Sequence, residues 1–263
     1  MLTKFSVSNF KGFNSELVFD LKDTNAYAFN TDSIKNGVVN NALVYGPNGV
    51  GKSNLGFAIF DIIAHLTDKR IDESQYLYYL NALNESDSAD FQYEFQFDSN
   101  TVIYKYKKTQ YDIVIFESFS INEKELAFID KKKNNEAKVG FKGTESLKTN
   151  MTDQNLSLLK YIKNNSVLVE NEENNCFEKF FVFVDRMLFF RSLKENMYLG
   201  LQIGKKTLDE DIIEKGNVAD LQAFLNSAGV DCKLTVIKES DKDVIAFDFN
   251  GKTIAYYRIA SSG

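Results

Sequence analysis

The residues best suited to chemistry are the eight from Gly46 to Ser53, Gly46-Pro47-Asn48-Gly49-Val50-Gly51-Lys52-Ser53. Their spacing matches the pattern G-x-x-x-x-G-K-[ST], and the chemistry of that pattern is phosphate binding. Its glycines let successive backbone N–H groups turn inward around anionic oxygens. Lys52 adds a point charge, and Ser53 offers a hydroxyl to Mg²⁺. A helix starting at Lys52 and running through Asn54 aims its positive end at the same oxygens. The implied ligand is a nucleoside triphosphate with Mg²⁺.

Such a loop needs a strand before it and a helix after it. Ala42-Leu43-Val44-Tyr45 is a short apolar run that predicts a buried strand. Leu55, Ala58, Ile59, Ile62, Ile63 and Leu66 recur at helical spacing and predict a helix from Lys52 to near Asp68. Pro47 is the only proline of the chain and sits inside the loop, where a fixed φ helps shape the backbone.

Around this unit the chain reads as follows. Residues 2–8 and 17–19 predict two strands, with Asn9-Phe10-Lys11-Gly12-Phe13 between them. Phe91, Tyr93, Phe95 and Phe97 alternate with polar residues, the period of a half-buried strand. Val102–Tyr106, Ile113–Ile121 and Leu126–Ile129 continue it as an antiparallel meander, unlike the parallel core expected around the loop. Leu156, Leu158, Leu159 and Ile162 predict a helix capped by Thr152 or Asp153, and residues 170–175 an acidic loop. Asn217 is a candidate cap for a helix ended by Gly229. Two more strands follow, then Asn250-Gly251, a strong two-residue hairpin signal.

Composition sets bounds. With 44% hydrophobic and 26% charged residues in 263, the chain reads as a soluble globular protein. No apolar run approaches the roughly 20 residues that span a bilayer, and no signal peptide opens the chain, so the expectation is a cytoplasmic protein with no membrane partner. A net charge of −6 gives no support to wholesale wrapping of nucleic acid. A lysine cluster at 131, 132, 133, 138, 142 and 148 reads first as a solvated surface and second as a contact for nucleic acid or an acidic partner. Cys176 and Cys232 have no metal spacing, and the lone histidine, His65, reads as a surface or packing residue.

Hydrolysis needs a carboxylate for Mg²⁺ at the end of an apolar strand. Asp185, after the five apolar residues Phe180 to Val184, is the candidate within the chain, with an ordinary strand end as the plainer reading. Arg186 follows where a catalytic glutamate would be expected.

Asn9-Phe10-Lys11-Gly12-Phe13 ahead of Gly46 to Leu55 resembles the SMC/RecF group of ABC-type ATPase heads. With the aromatic meander, a helical middle, a strand pair and Ser261-Ser262-Gly263, the chain looks most like the bacterial ATP-binding (AAA family) proteins of abortive-infection and other anti-phage loci. The resemblance implies an α/β P-loop NTPase of ABC/SMC-head type, with an antiparallel meander and a helical sub-lobe. It implies three parts: 1–130 with the loop and meander, 131–230 mainly helical, and 231–263 leading into the signature motif. It implies ATP and Mg²⁺ as cofactors, with ATP held by Gly46 to Asn54. Ser261, Ser262 and Gly263 would cap the γ-phosphate across a homodimer or higher homo-oligomer. The partner it implies is an effector, often a nuclease. In that group the Mg²⁺ aspartate, the catalytic glutamate and a sensing histidine follow the signature motif; nothing follows here, so the C-terminal part of the core is expected to be missing. The alternatives are a self-contained P-loop NTPase or kinase using Asp185, and a non-hydrolysing structural head fragment.

Overall fold

The alternating aromatics fold as their period demands. The computed structural model describes residues 1–25, 28–69, 76–151, 156–191, 197–199, 208–239 and 242–259. The chain divides into two units, one of residues 1–189 and 199–201, the other of 190–198 and 202–263. The protein is mixed α/β, with a large antiparallel sheet and several helices.

The first unit is built on strands β1 (Leu2–Ser8), β2 (Leu17–Asp20), β3 (Ile34–Lys35) and β4 (Val38–Val39), helices α1 (Lys52–Phe60) and α2 (Ile62–Leu66), and the meander β5 (Ala89–Phe97), β6 (Asn100–Gln110), β7 (Ile113–Ile121) and β8 (Lys124–Asp130). It continues through β9 (Lys138–Val139), α3 (Leu158–Asn165) and α4 (Glu172–Arg186). Seven strands form one sheet in the order β2-β1-β5-β6-β7-β8-β9. Pairing is antiparallel across it.

Register fixes what faces the core. Phe5, Tyr93, Tyr104, Phe119 and Ala127 stand opposite one another as one rung, and Val7, Phe91, Tyr106, Glu117 and Ile129 as the next. All of these are buried. Edge-to-face and offset aromatic pairs fill the face, such as Phe95 against Phe180 at 5.4 Å and Phe119 against Phe177 at 5.5 Å.

Phe180 to Val184 is not a strand. It lies in α4, where Cys176, Phe177, Phe180, Phe181 and Val184 are buried and Val182 is exposed. The apolar run hides a helical period that begins upstream of it. Asn171 caps this helix by accepting from the Asn174 N–H at 3.0 Å, so residues 172–175 are its first turn rather than a loop. The cap of α3 is Ser157; Thr152 and Asp153 lie outside the described residues.

Ala42 to Tyr45 is not a strand either. It has no ladder, and Leu43 and Tyr45 are 88% and 87% exposed. An extended apolar segment becomes a strand only when a neighbour takes up its N–H and C=O groups, and no described strand runs beside this one. The pairings of the seven-stranded sheet, of β3 with β4 and of the β12–β14 sheet are all antiparallel, so the parallel core expected around the loop is not found in them.

The two short strands β10 (Phe189–Arg191) and β11 (Met197–Leu199) pair with each other. The second unit continues through α5 (Leu208–Glu214), α6 (Val218–Ser227), β12 (Leu234–Glu239), β13 (Lys242–Phe249), β14 (Lys252–Ala255) and α7 (Tyr256–Ile259). Strands β12 to β14 form an antiparallel sheet. Asn250 and Gly251 turn its second hairpin with φ of 55° and 93°, the left-handed pair that a tight hairpin requires. No helix among the described residues is long and apolar enough to cross a membrane.

Candidate functional site: the glycine loop and the seam beneath it

The loop from Gly46 to Val50 is exposed along its length. Gly46, Gly49 and Gly51 have φ of 155°, 84° and 99°, a range that L side chains rarely adopt. Lys52 folds back on the loop, its Nζ donating to the carbonyls of Gly46 and Pro47, both at 2.7 Å. The ammonium is thereby tied to the first two residues of the loop. The N-terminus of α1 carries no side-chain cap, and Gly51 occupies the cap position. The helical ladder begins with Leu55 N–H donating to the Gly51 carbonyl at 2.9 Å. Helical geometry therefore leaves the N–H groups of Lys52, Ser53 and Asn54 without a partner inside the helix. Ser53 is exposed beside them.

The 9–13 segment braces this loop. Asn9 and Lys11 have φ of 51° and 47°, and Phe10 and Phe13 exchange backbone hydrogen bonds of 3.0 and 2.8 Å. Gly12 lies so close to Asn54 that a Cβ there would sit 2.9 Å from its Nδ2. A Cβ on Gly51 would meet the Phe13 ring at 3.4 Å.

Under α1 runs a buried polar seam that sequence reading missed. Asp61, between α1 and α2, and Lys108, on β6, are both fully buried and paired at 2.7 Å. Tyr106 and Tyr79 donate to the Asp61 carboxylate at 2.9 and 2.8 Å, and Lys108 also donates to the Tyr111 carbonyl at 2.8 Å. Burial lowers the Lys108 pKa, and Asp61 pulls the other way. The Tyr93 hydroxyl donates to the Ala58 carbonyl at 2.9 Å, which also accepts from the Asp61 N–H at the end of α1.

Glu117 extends the seam. It accepts from Tyr104 at 2.8 Å, from Ser157 at 2.7 Å and from the Leu158 N–H at the start of α3 at 2.5 Å. Burial raises its pKa, and these donors restrain the rise. Because Tyr104 spends its one proton on Glu117, the His65 Nε2–H donates to the Tyr104 oxygen at 2.7 Å. His65 Nδ1 is left buried with no hydrogen-bond partner. Burial holds the imidazole well below its ordinary pKa, with Lys108 adding to the effect. The missed signal was period 2: Val102, Tyr104, Tyr106 and Lys108 all fall on the core face of β6, so Lys108 had to point inward.

Asp185 does not end a strand. It lies in the last turn of α4, paired with Lys163 at 3.3 Å, while its backbone carbonyl accepts from Lys69. A carboxylate at the end of a strand was the basis for assigning it Mg²⁺, and that strand is a helix. Ser261, Ser262 and Gly263 lie outside the described residues. Among the described residues no cluster of three or more His, Cys, Asp or Glu could hold a metal. Three of the six lysines of the cluster are engaged within the protein: Lys132 pairs with Asp87 at 2.5 Å, Lys133 with Asp130 at 3.2 Å, and Lys131 donates to the Leu156 carbonyl at 2.9 Å.

Neither a scan against models of protein families nor a search of curated proteins returns a match to this chain.

Proposed function

We propose that this chain binds ATP with Mg²⁺ at Gly46 to Asn54, as the nucleotide-binding head of an ABC-type ATPase of the SMC/RecF group. One observation carries the reading: α1 opens with an uncapped N-terminus entered through glycines at positive φ, with Lys52 held against the loop's own carbonyls. Uncapped helical donors in an exposed loop are open to water or to an anion, and a phosphate chain fits both their charge and their direction. Ser53 would supply the Mg²⁺ hydroxyl.

In this reading the chain is a nucleotide-dependent dimerisation switch. ATP is sandwiched between two copies, with Ser261 to Gly263 reaching across, and closure is passed to an effector in anti-phage defence. The resemblance of 9–13 and 46–55 to that group supports the role. The test is calorimetry with Mg-ATP on the wild type and on Lys52→Ala. Wild-type binding is expected, with at least a hundredfold loss in the variant, about 2.7 kcal/mol, and an unchanged unfolding midpoint. Unchanged affinity in Lys52→Ala would overturn the site. Light scattering with and without Mg-ATP tests the switch; a mass that ignores nucleotide removes it.

A further inference from the structure

The helix that starts at the phosphate loop ends in the buried seam, and the segment 76–81 touches both that end and the 9–13 segment that abuts its start. The Tyr79 hydroxyl donates to Asp61 just past the C-terminus of α1. The Tyr79 carbonyl accepts from the Lys11 N–H at 2.9 Å. Asn81 closes the same junction, its N–H donating to Asn9 Oδ1 at 3.1 Å and its Nδ2 to the Lys11 carbonyl at 2.6 Å. The residues that follow, Gly12 and Phe13, abut Asn54 and Gly51. The Tyr79 ring packs against Phe10 at 5.1 Å, so it is clamped on the side of the 9–13 segment as well.

We infer that Tyr79 is a positioning residue for the phosphate site: it ties the C-terminal end of α1 to the 9–13 segment, and that segment sets where the loop and the first turn of α1 stand. The inference rests on the nucleotide reading given above. Asp61 supplies a fixed point because its carboxylate is held by Lys108 and Tyr106 as well. Removing the Tyr79 hydroxyl leaves those bonds in place and frees one end of the tie. A displacement near 1 Å at a preorganised anion site is enough to weaken binding severalfold to a hundredfold.

The experiment compares Tyr79→Phe with Ser157→Ala. The second also removes a buried hydroxyl from the seam, but one that serves Glu117 and the start of α3. Mg-ATP affinity is measured by calorimetry well below both unfolding midpoints, and amide exchange is measured without nucleotide. In Tyr79→Phe the affinity is expected to fall about tenfold, with faster exchange at Lys11 and Leu55. In Ser157→Ala affinity and both amides are expected to stay as in the wild type, although the midpoint falls. Wild-type affinity and unchanged exchange in Tyr79→Phe would overturn the tie. Equal affinity losses in the two variants would also overturn it, by reducing Tyr79 to general stability. A wild type that binds no ATP, with exchange still faster in Tyr79→Phe, would sink the nucleotide reading and leave the tie standing.

Discussion

The two ends of α1 treat polar groups in opposite ways. At Asp61 the carboxylate is fully buried and takes hydrogen bonds from Lys108, Tyr106 and Tyr79. At Lys52 the helix opens without a cap, beside an exposed loop. The seam shows how a core carries charge: each ion is bound by several partners, because an unmet one in a low dielectric is costly. The loop shows the complementary arrangement, with donors kept available to solvent or a ligand. The comparison teaches that one end of the helix is committed to the core and the other is left open, so substitutions at the two ends should differ in what they cost.

The largest expected effect tests the seam. Lys108→Met keeps most of the apolar stem, one atom shorter, and leaves the Asp61 carboxylate without its cation. Breaking a buried pair in this way costs about 3–5 kcal/mol, whereas Lys52→Ala should stay within about 0.5 kcal/mol. Urea unfolding of both variants is the check. The double variant Asp61→Asn, Lys108→Met should recover part of the loss, because no unpaired charge remains. A Lys108→Met cost under about 1 kcal/mol would break the contrast between the two ends.

A second test uses the only histidine of the chain. His65 faces Tyr104, with Lys108, Lys160 and Lys131 near enough to disfavour its charge and the Asp61 backbone favouring it. Its folded pKa lies well below the ordinary 6.5. The stability linked to its neutral form is therefore full above 6.5 and is lost as the pH falls from there through the depressed folded value. The slope is about 1.4 kcal/mol per pH unit. Glu117 works in the other direction. Its pKa is raised from 4.5, so its contribution is full below 4.5 and is lost as the pH rises through the raised value. His65→Gln should then turn the falling stability between pH 6.5 and roughly 5.5 flat or upward, read as unfolding midpoints across that range. An unchanged slope would show that His65 takes up its proton in the folded state as readily as in the unfolded one.

How much of this was legible in the sequence depends on how local each signal is. The meander, the Asn250-Gly251 hairpin and the loop-to-helix step at Lys52 are set by neighbouring residues, and they read directly. Phe180 to Val184 misled because a five-residue apolar run fits a strand as well as a buried helix turn. Only Cys176 and Phe177, a turn earlier, reveal the helical period. Ala42 to Tyr45 misled for the opposite reason: its local preference is for a strand, but a strand is a property of two segments. The Asp61–Lys108 pair joins residues 47 positions apart. Nothing in either local stretch names its partner, although the inward register of Lys108 was there to be read.

The smallest expected effect is the sharpest test of the exposed side. Leu43 is apolar, sits just ahead of the loop and is 88% exposed. Truncating a buried leucine costs about 2–5 kcal/mol, whereas a surface change stays within about 0.5 kcal/mol. Leu43→Asn should therefore leave the urea midpoint of the isolated chain unchanged within error, while Phe119→Ala, at the centre of the aromatic face, loses about 3–5 kcal/mol. The two variants have opposite outcomes because the sheet provides neighbours for Phe119 on every side and the 42–45 segment has no ladder. If Leu43→Asn instead costs 2 kcal/mol or more, as only a buried leucine would, the segment is covered in solution. Repeating the measurement at tenfold dilution then tells what covers it: a loss that shrinks on dilution points to a second copy, and a constant one to the chain itself.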